Sequence, residues 1–172
     1  VITTLRQAEI EQVLVVLGPH GEALAAPARA AGAEVLVLLQ KTPEMRATVE
    51  VGLAHLEEFW HPTADDAWLL IPADHPTLEA GVVRQLVQAY TVEPSHSLIV
   101  PTYQGRRGHP TLIAWRHVAA LRKLPAGQGL NVYLREQETH ELPVTTPVVL
   151  DDLDTPADYE RLLKVWAGER RP

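Results

Sequence analysis

The run Gln12 to Leu17 (Gln-Val-Leu-Val-Val-Leu) is apolar at consecutive positions instead of alternate ones. A strand with one wet face alternates polar and apolar residues. A strand apolar on both faces must be covered on both, as in a parallel sheet between helical layers. Glu34 to Leu39 and Asp66 to Ile71 repeat the pattern, and stretches of helical periodicity lie between the three. This alternation predicts a three-layer α/β/α, Rossmann-like fold with a mostly parallel sheet. A chain of 172 residues suits one domain, residues 1–172, around one core.

The remaining elements follow from local signals. Val1 to Glu9 reads as the tail of a helix with no cap before it. Glu22 to Ala31 is an alanine-rich helix stopped by Gly32. Thr42 and Pro43 offer an N-cap and a first helical position for a helix whose stripe is Met45, Val49, Gly52, Leu53 and Leu56. Thr77 reads as the cap of a helix with Val82, Val83, Leu86, Val87 and Tyr90 as its apolar positions. Ser97 to Val100 is a fourth strand, Gln104 to Pro110 a tight polar loop, and Thr111 to Trp115 a short strand. His117 to Leu124 and Leu130 to Glu136 read as helices, and Val148 to Leu150 as a last strand. Thr155, Pro156 and Asp158 occupy N-cap, N1 and N3 of a closing helix carrying Tyr159, Leu162, Leu163 and Trp166.

Composition narrows the function. Net charge is −7, which excludes a generally basic nucleic-acid binder, so phosphate recognition has to come from a local cluster or a metal. There is no cysteine, which removes disulfides, thiolate zinc sites and a cysteine nucleophile and agrees with a cytoplasmic location. No apolar stretch reaches the length of a membrane span. Nucleotide fingerprints of the GxGxxG and GxxxxGK[ST] types, the GxSxG elbow and HExxH are all missing.

Three groups of residues remain as carriers of chemistry. The apolar run ending at Ile71 leads to Pro72-Ala73-Asp74-His75-Pro76. Ligands of open α/β sheets bind beyond the carboxyl ends of strands, and a carboxylate there can hold Mg²⁺ against a phosphate. An acid in that place also serves as an ordinary turn or cap residue. The Asp151, Asp152, Asp154 cluster precedes the last helix, where an acid is stabilised by the helix dipole in any protein. Both acidic sites follow strands, so Asp74 and Asp154 together make a candidate Mg²⁺ site. The loop Gly105-Arg106-Arg107-Gly108-His109-Pro110 is the compact basic feature of an acidic chain. Arginine forks match phosphate or carboxylate, and a solvated hairpin tip is the plain alternative.

Taken in order, four segments resemble the MobA-like NTP transferase family, especially the branch that contains molybdenum cofactor cytidylyltransferase. They are Ala73-Asp74-His75-Pro76; Val100-Pro101-Thr102 leading to Gly105-Arg106-Arg107-Gly108-His109-Pro110; Asp152-Leu153-Asp154-Thr155-Pro156-Ala157-Asp158-Tyr159; and Met45-Arg46-Ala47-Thr48-Val49-Glu50-Val51-Gly52-Leu53. The resemblance implies a nucleotide-diphospho-sugar transferase-type fold and a Mg²⁺-dependent nucleotidyltransferase. A nucleoside monophosphate would pass from an NTP, CTP or GTP, to a small phosphorylated acceptor such as a molybdopterin-type cofactor, releasing pyrophosphate. It implies Asp74 and Asp154 as catalytic metal ligands, and His75, Arg106, Arg107, His109 and Thr48 as substrate-binding residues. The family's glycine-rich nucleotide loop and first strand have no counterpart in this sequence. We therefore expect unpaired strand edges around Val13 to Leu17 and poor catalysis by this polypeptide. Two other readings stay open, a non-catalytic α/β module that binds an anion or nucleotide, and a sugar-1-phosphate nucleotidyltransferase.

Overall fold

The computed structural model describes residues 1–125 and 127–168, the last four of them as helix backbone alone. Helix α1 (Ile2–Gln7) leads to strand β1 (Leu14–Leu17), helix α2 (Glu22–Ala30) and strand β2 (Glu34–Val37). Helix α3 (Met45–Trp60), strand β3 (Ala67–Leu70) and helix α4 (Ala80–Val92) complete the regular half. Then come β4 (Leu98–Tyr103), β5 (Arg106–Arg107), β6 (Thr111–Ala114), α5 (Val118–Leu121), α6 (Leu130–Glu136), β7 (His140–Pro143) and α7 (Pro156–Gly168).

The predicted α/β architecture is present, and its sheet is mixed in detail. β1 and β2 pair in parallel, as do β4 and β7. β6 lies between β3 and β4, antiparallel to both, so β3, β4 and β7 run in one direction. The short β5 forms an antiparallel hairpin with β4. Among the described residues β1 pairs with β2 alone and β3 with β6 alone, which leaves each with one unpaired edge. No helix among them is long and apolar enough to cross a membrane.

The core explains why these segments hold together. On one face Val82, Leu86 and Tyr90 of α4 pack on Ile99, Leu112 and Ala114. Leu5 of α1 and Ala8 at its C-cap meet Val13 and Val83, with Val15, Leu69 and Ile71 packed against them. That cluster bridges the two sheets. On the other face Leu53 of α3 meets Trp115 and Val118, with Trp68 alongside. A Cβ at Gly52 would stand 3.2 Å from Val16, so the absence of a side chain there lets α3 approach β1. Fully buried residues such as Leu53, Leu86 and Ile99 contribute about 1.5–3 kcal/mol each by leaving water.

Several sequence expectations are corrected. α3 begins at Met45 with Glu44 at its N-cap, not at Pro43 under Thr42, and Met45 is exposed instead of joining the buried stripe. α4 begins at Ala80 under Glu79, because Thr77 turns its hydroxyl to Asp151. Val148 to Leu150 lie in a 3₁₀ turn (Pro147–Leu150) opened by Pro147, and β7 is the strand that pairs there. In α7, Leu162 is buried while Tyr159 and Leu163 face solvent, and the Trp166 side chain lies outside the described residues. The closing helix starts as expected: the Thr155 N–H donates to Asp158 at 3.0 Å and the Asp158 N–H to the Thr155 hydroxyl at 3.2 Å.

Candidate active site

Alternation along β3 aims Ala67 and Leu69 at the α4 side and Trp68 and Leu70 at the opposite side. The chain leaves the sheet at Ile71-Pro72, and a turn closed by the His75 N–H on the Pro72 carbonyl at 3.3 Å sets Asp74 beyond the carboxyl end of the strand. The Asp74 side chain is 45 % exposed, yet its Oδ1 is buried and has no hydrogen-bond partner. His75 Nε2 stands 3.7 Å from that oxygen, too long for a hydrogen bond. The His75 ring meets His109 edge-on, with centroids 4.5 Å apart, and Nδ1 of each ring is also buried and unpartnered. Burial first, and then the neighbouring His75, push the His109 pKa below the ordinary histidine value, against the opposing pull of Asp74.

His109 reaches Asp74 because the basic loop is docked at both ends. Gln104 and Gly105 take positive φ of 50° and 75° to turn the β4–β5 hairpin, a geometry that glycine adopts at little cost. The Gly108 N–H then donates to the Pro101 carbonyl at 2.9 Å and the His109 N–H to the Val149 carbonyl at 2.8 Å. The two arginines of β5 diverge, as neighbours on a strand must. Arg107 pairs with Glu141 of β7 at 2.8 Å in an exposed contact. Arg106 is exposed and has no side-chain partner among the described residues.

The second acidic site divides. Asp154 is exposed and makes no side-chain hydrogen bond or ion pair among the described residues. Asp151 is the acid that the fold draws to the β3–α4 loop. Its Oδ2 accepts from Thr77 at 3.1 Å and its Oδ1 from Arg161 at 2.7 Å. Thr48, one turn into α3, bonds hydroxyl to hydroxyl with Thr42 at 2.5 Å. Thus Asp74, His75 and His109 are brought together, while Thr48 and the arginines stand on separate elements. Sequence reasoning passed over Arg46, a basic residue in the first turn of α3, where the helix dipole disfavours a cation. That misplaced charge was the available signal.

Two clefts, of about 420 and 380 Å³, lie elsewhere, one beside Arg6, Arg29 and Trp60 and one between α4 and β7. Site chemistry therefore outranks concavity here. No three His, Asp or Glu side chains converge into a ready metal cage among the described residues. Mg²⁺ asks for less, since one or two carboxylates suffice and water and phosphate oxygens complete its octahedron. The orphaned Oδ1 of Asp74 is an anionic oxygen acceptor that no protein donor satisfies, and a hard cation is the partner its chemistry suits, so the donor set fits.

Among solved structures, Rv0371c from Mycobacterium tuberculosis superimposes with a TM-score of 0.76 and 28% identity, over 94% of this chain and 82% of that one. A complex of Rv0371c with manganese gives a TM-score of 0.70 and 29% identity, over 94% and 84%. Molybdopterin-guanine dinucleotide biosynthesis protein A from Archaeoglobus fulgidus shares the fold at 16% identity, with a TM-score of 0.66 over 96% and 84%. No curated protein matches the chain. The family model described as the MobA-like NTP transferase domain matches residues 1–142. With its α/β fold and an acid beyond the carboxyl end of β3, the chain belongs to the MobA-like NTP transferase family, a family of nucleotidyltransferases.

Proposed function

We propose that the protein is a Mg²⁺-dependent nucleotidyltransferase that moves a nucleoside monophosphate from CTP or GTP to a small phosphorylated acceptor of the molybdopterin type, with pyrophosphate leaving. The observation that carries the reading is the buried, unpartnered Oδ1 of Asp74 beyond the carboxyl end of β3, next to His75 and His109. Asp74, joined by Asp154, would hold the metal, which supplies charge neutralisation on the phosphates. The manganese named for the Rv0371c complex supports a divalent ion of this class. The reaction takes place in the cytoplasm and involves neither nucleic acid nor membrane.

The chain's own residues then bind and orient. Arg106 offers an exposed guanidinium fork to an anionic acceptor. Arg107 has to release Glu141, and an exposed pair of that kind holds with no more than about 1 kcal/mol. His109, with its depressed pKa, is uncharged at neutral pH and serves as a hydrogen-bonding edge, with His75 packed against it. Thr48 presents a hydroxyl at the start of α3. Catalysis by such a site is mainly positioning and electrostatics, with little need for a general base.

The test is calorimetric binding of CTP, GTP and ATP with Mg²⁺ or Mn²⁺, alongside pyrophosphate release, for the wild type and Asp74→Asn. Metal-dependent binding of one nucleotide, weakened at least tenfold in the variant, is the expected result. Binding indifferent to Asp74 and to metal would replace this reading with the non-catalytic module.

A further inference from the structure

Arg46 joins segments 78 to 82 residues apart in the chain. Its side chain is 12 % exposed, and its Nη1 lies 3.3, 2.8 and 2.9 Å from the carbonyl oxygens of Leu124, Pro125 and Gln128. Nη1 carries two hydrogens for these three acceptors, so at least one hydrogen is shared. On its other side Nε faces Glu50 at 3.2 Å and Glu44 at 3.7 Å without hydrogen-bond alignment. A cation this buried, in a helix turn whose dipole opposes it, is held by those carbonyls and carboxylates.

The clamp has a defined place in the fold. Leu124, Leu130 and Tyr133 pack with Trp68 and Leu70, and Leu70 is the last residue of β3. Arg46 therefore brings the first turn of α3, with Thr48, to the same end of β3 that carries Asp74. A Cβ at Gly127 or Gly129 would meet nothing within 4 Å, so the glycines flanking the clamped Gln128 carbonyl border open space.

We infer that Arg46 is a positioning residue: by clamping the Leu124, Pro125 and Gln128 carbonyls it fixes the Thr48 turn and the glycine segment as one border of the substrate site at the Asp74 end of β3. The inference rests on the nucleotidyltransferase reading for its consequence, and on the contacts alone for the clamp.

The experiment compares wild type, Arg46→Met and Arg46→Lys by amide hydrogen exchange and by calorimetry with Mg·CTP and Mg·GTP. Methionine keeps the apolar stem and removes the donors. It should speed exchange at residues 127–130 at least tenfold, leave Val49–Leu56 within twofold, and weaken binding of the preferred nucleotide at least fivefold. Lysine should restore part of both, because an ammonium with three donors suits three carbonyls converging on one nitrogen. Unchanged affinity in a methionine variant with a loosened segment would overturn the positioning role and leave Arg46 a stability residue. If wild type binds neither nucleotide, the proposed function fails by itself. Exchange then decides the clamp, and an unaltered rate at 127–130 overturns it. Should the methionine variant not fold, Arg46→Gln decides, because its amide is too short to reach the three carbonyls: faster exchange at 127–130 with weaker binding supports the clamp, and wild-type values in both overturn it.

Discussion

Gly108→Ala should sever the basic loop from the turn that leads to Asp151. A Cβ on Gly108 would stand 2.2 Å from the carbonyl oxygen of Val149, 2.7 Å from its carbonyl carbon and 2.9 Å from its Cβ. Two of these are backbone atoms, so no side-chain rotation relieves the contact. Gly108 does not have positive φ, and steric overlap alone sets the penalty. Separating the segments costs about 1–3 kcal/mol in overpacking. It also breaks the His109 N–H to Val149 bond of 2.8 Å, worth about 1 kcal/mol. The sum is about 2–4 kcal/mol, or about 5–15 °C in Tm for a chain of this size. Urea denaturation at pH 7.5 measures it, with Cm falling and m unchanged. Two glycines act as controls, since an added Cβ at either meets nothing within 4 Å. Gly105→Ala, at φ 75°, should cost about 1–2 kcal/mol from backbone strain alone. Gly81→Ala, in the first turn of α4, should stabilise by up to about 1 kcal/mol. A Gly108→Ala variant within 0.5 kcal/mol of wild type, roughly the scatter of neutral surface changes, would refute the docking argument.

Two further outcomes follow from single contacts. Thr155→Ala removes the N-cap hydroxyl of α7 and should cost about 1 kcal/mol by urea denaturation. The same change should raise the Asp158 carboxyl toward the ordinary aspartate range in an NMR titration, because the Thr155 hydroxyl is the chief cause of its depressed pKa. His117 bonds through Nδ1 to the Tyr133 hydroxyl at 2.7 Å, and burial first and Arg116 second hold its pKa below the usual 6.5. A histidine with a depressed folded pKa takes up its proton more readily when unfolded. Its contribution is therefore complete above pH 6.5 and is lost as pH falls toward the folded value. Tm measured from pH 7.5 to 5 should fall more steeply in wild type than in His117→Gln, and equal slopes would contradict the assignment.

Much of the fold was legible because it rests on local signals. The largely apolar runs within Gln12 to Leu17, Glu34 to Leu39 and Asp66 to Ile71 mark strands that need cover on both faces, and β1, β2 and β3 form inside them. The Thr155–Asp158 capping box works through residues three apart, so spacing alone reveals it. The open edge expected around Val13 to Leu17 is present among the described residues, where β1 pairs with β2 alone.

What the sequence could not decide are the pairings made at a distance. Thr77 and Thr42 each carry a good cap signal, but Asp151 and Thr48 capture their hydroxyls, and both helices take their caps two residues later. The antiparallel place of β6 between β3 and β4 depends on which edges are free once the sheet assembles, and no property of Thr111 to Ala114 encodes it. The family resemblance implies a substrate-binding role for His109, yet its place beside His75 and Asp74 depends on Gly108 lying against Val149 about forty residues later. Arg46 shows the same division most sharply. Its sequence position argues against it through the helix dipole, and only the tertiary fold brings the three carbonyls that hold its charge. Residue type and spacing therefore determine the elements and the chemistry on offer. Packing decides which polar groups are taken from water together, because a buried group must find a partner wherever the fold places one.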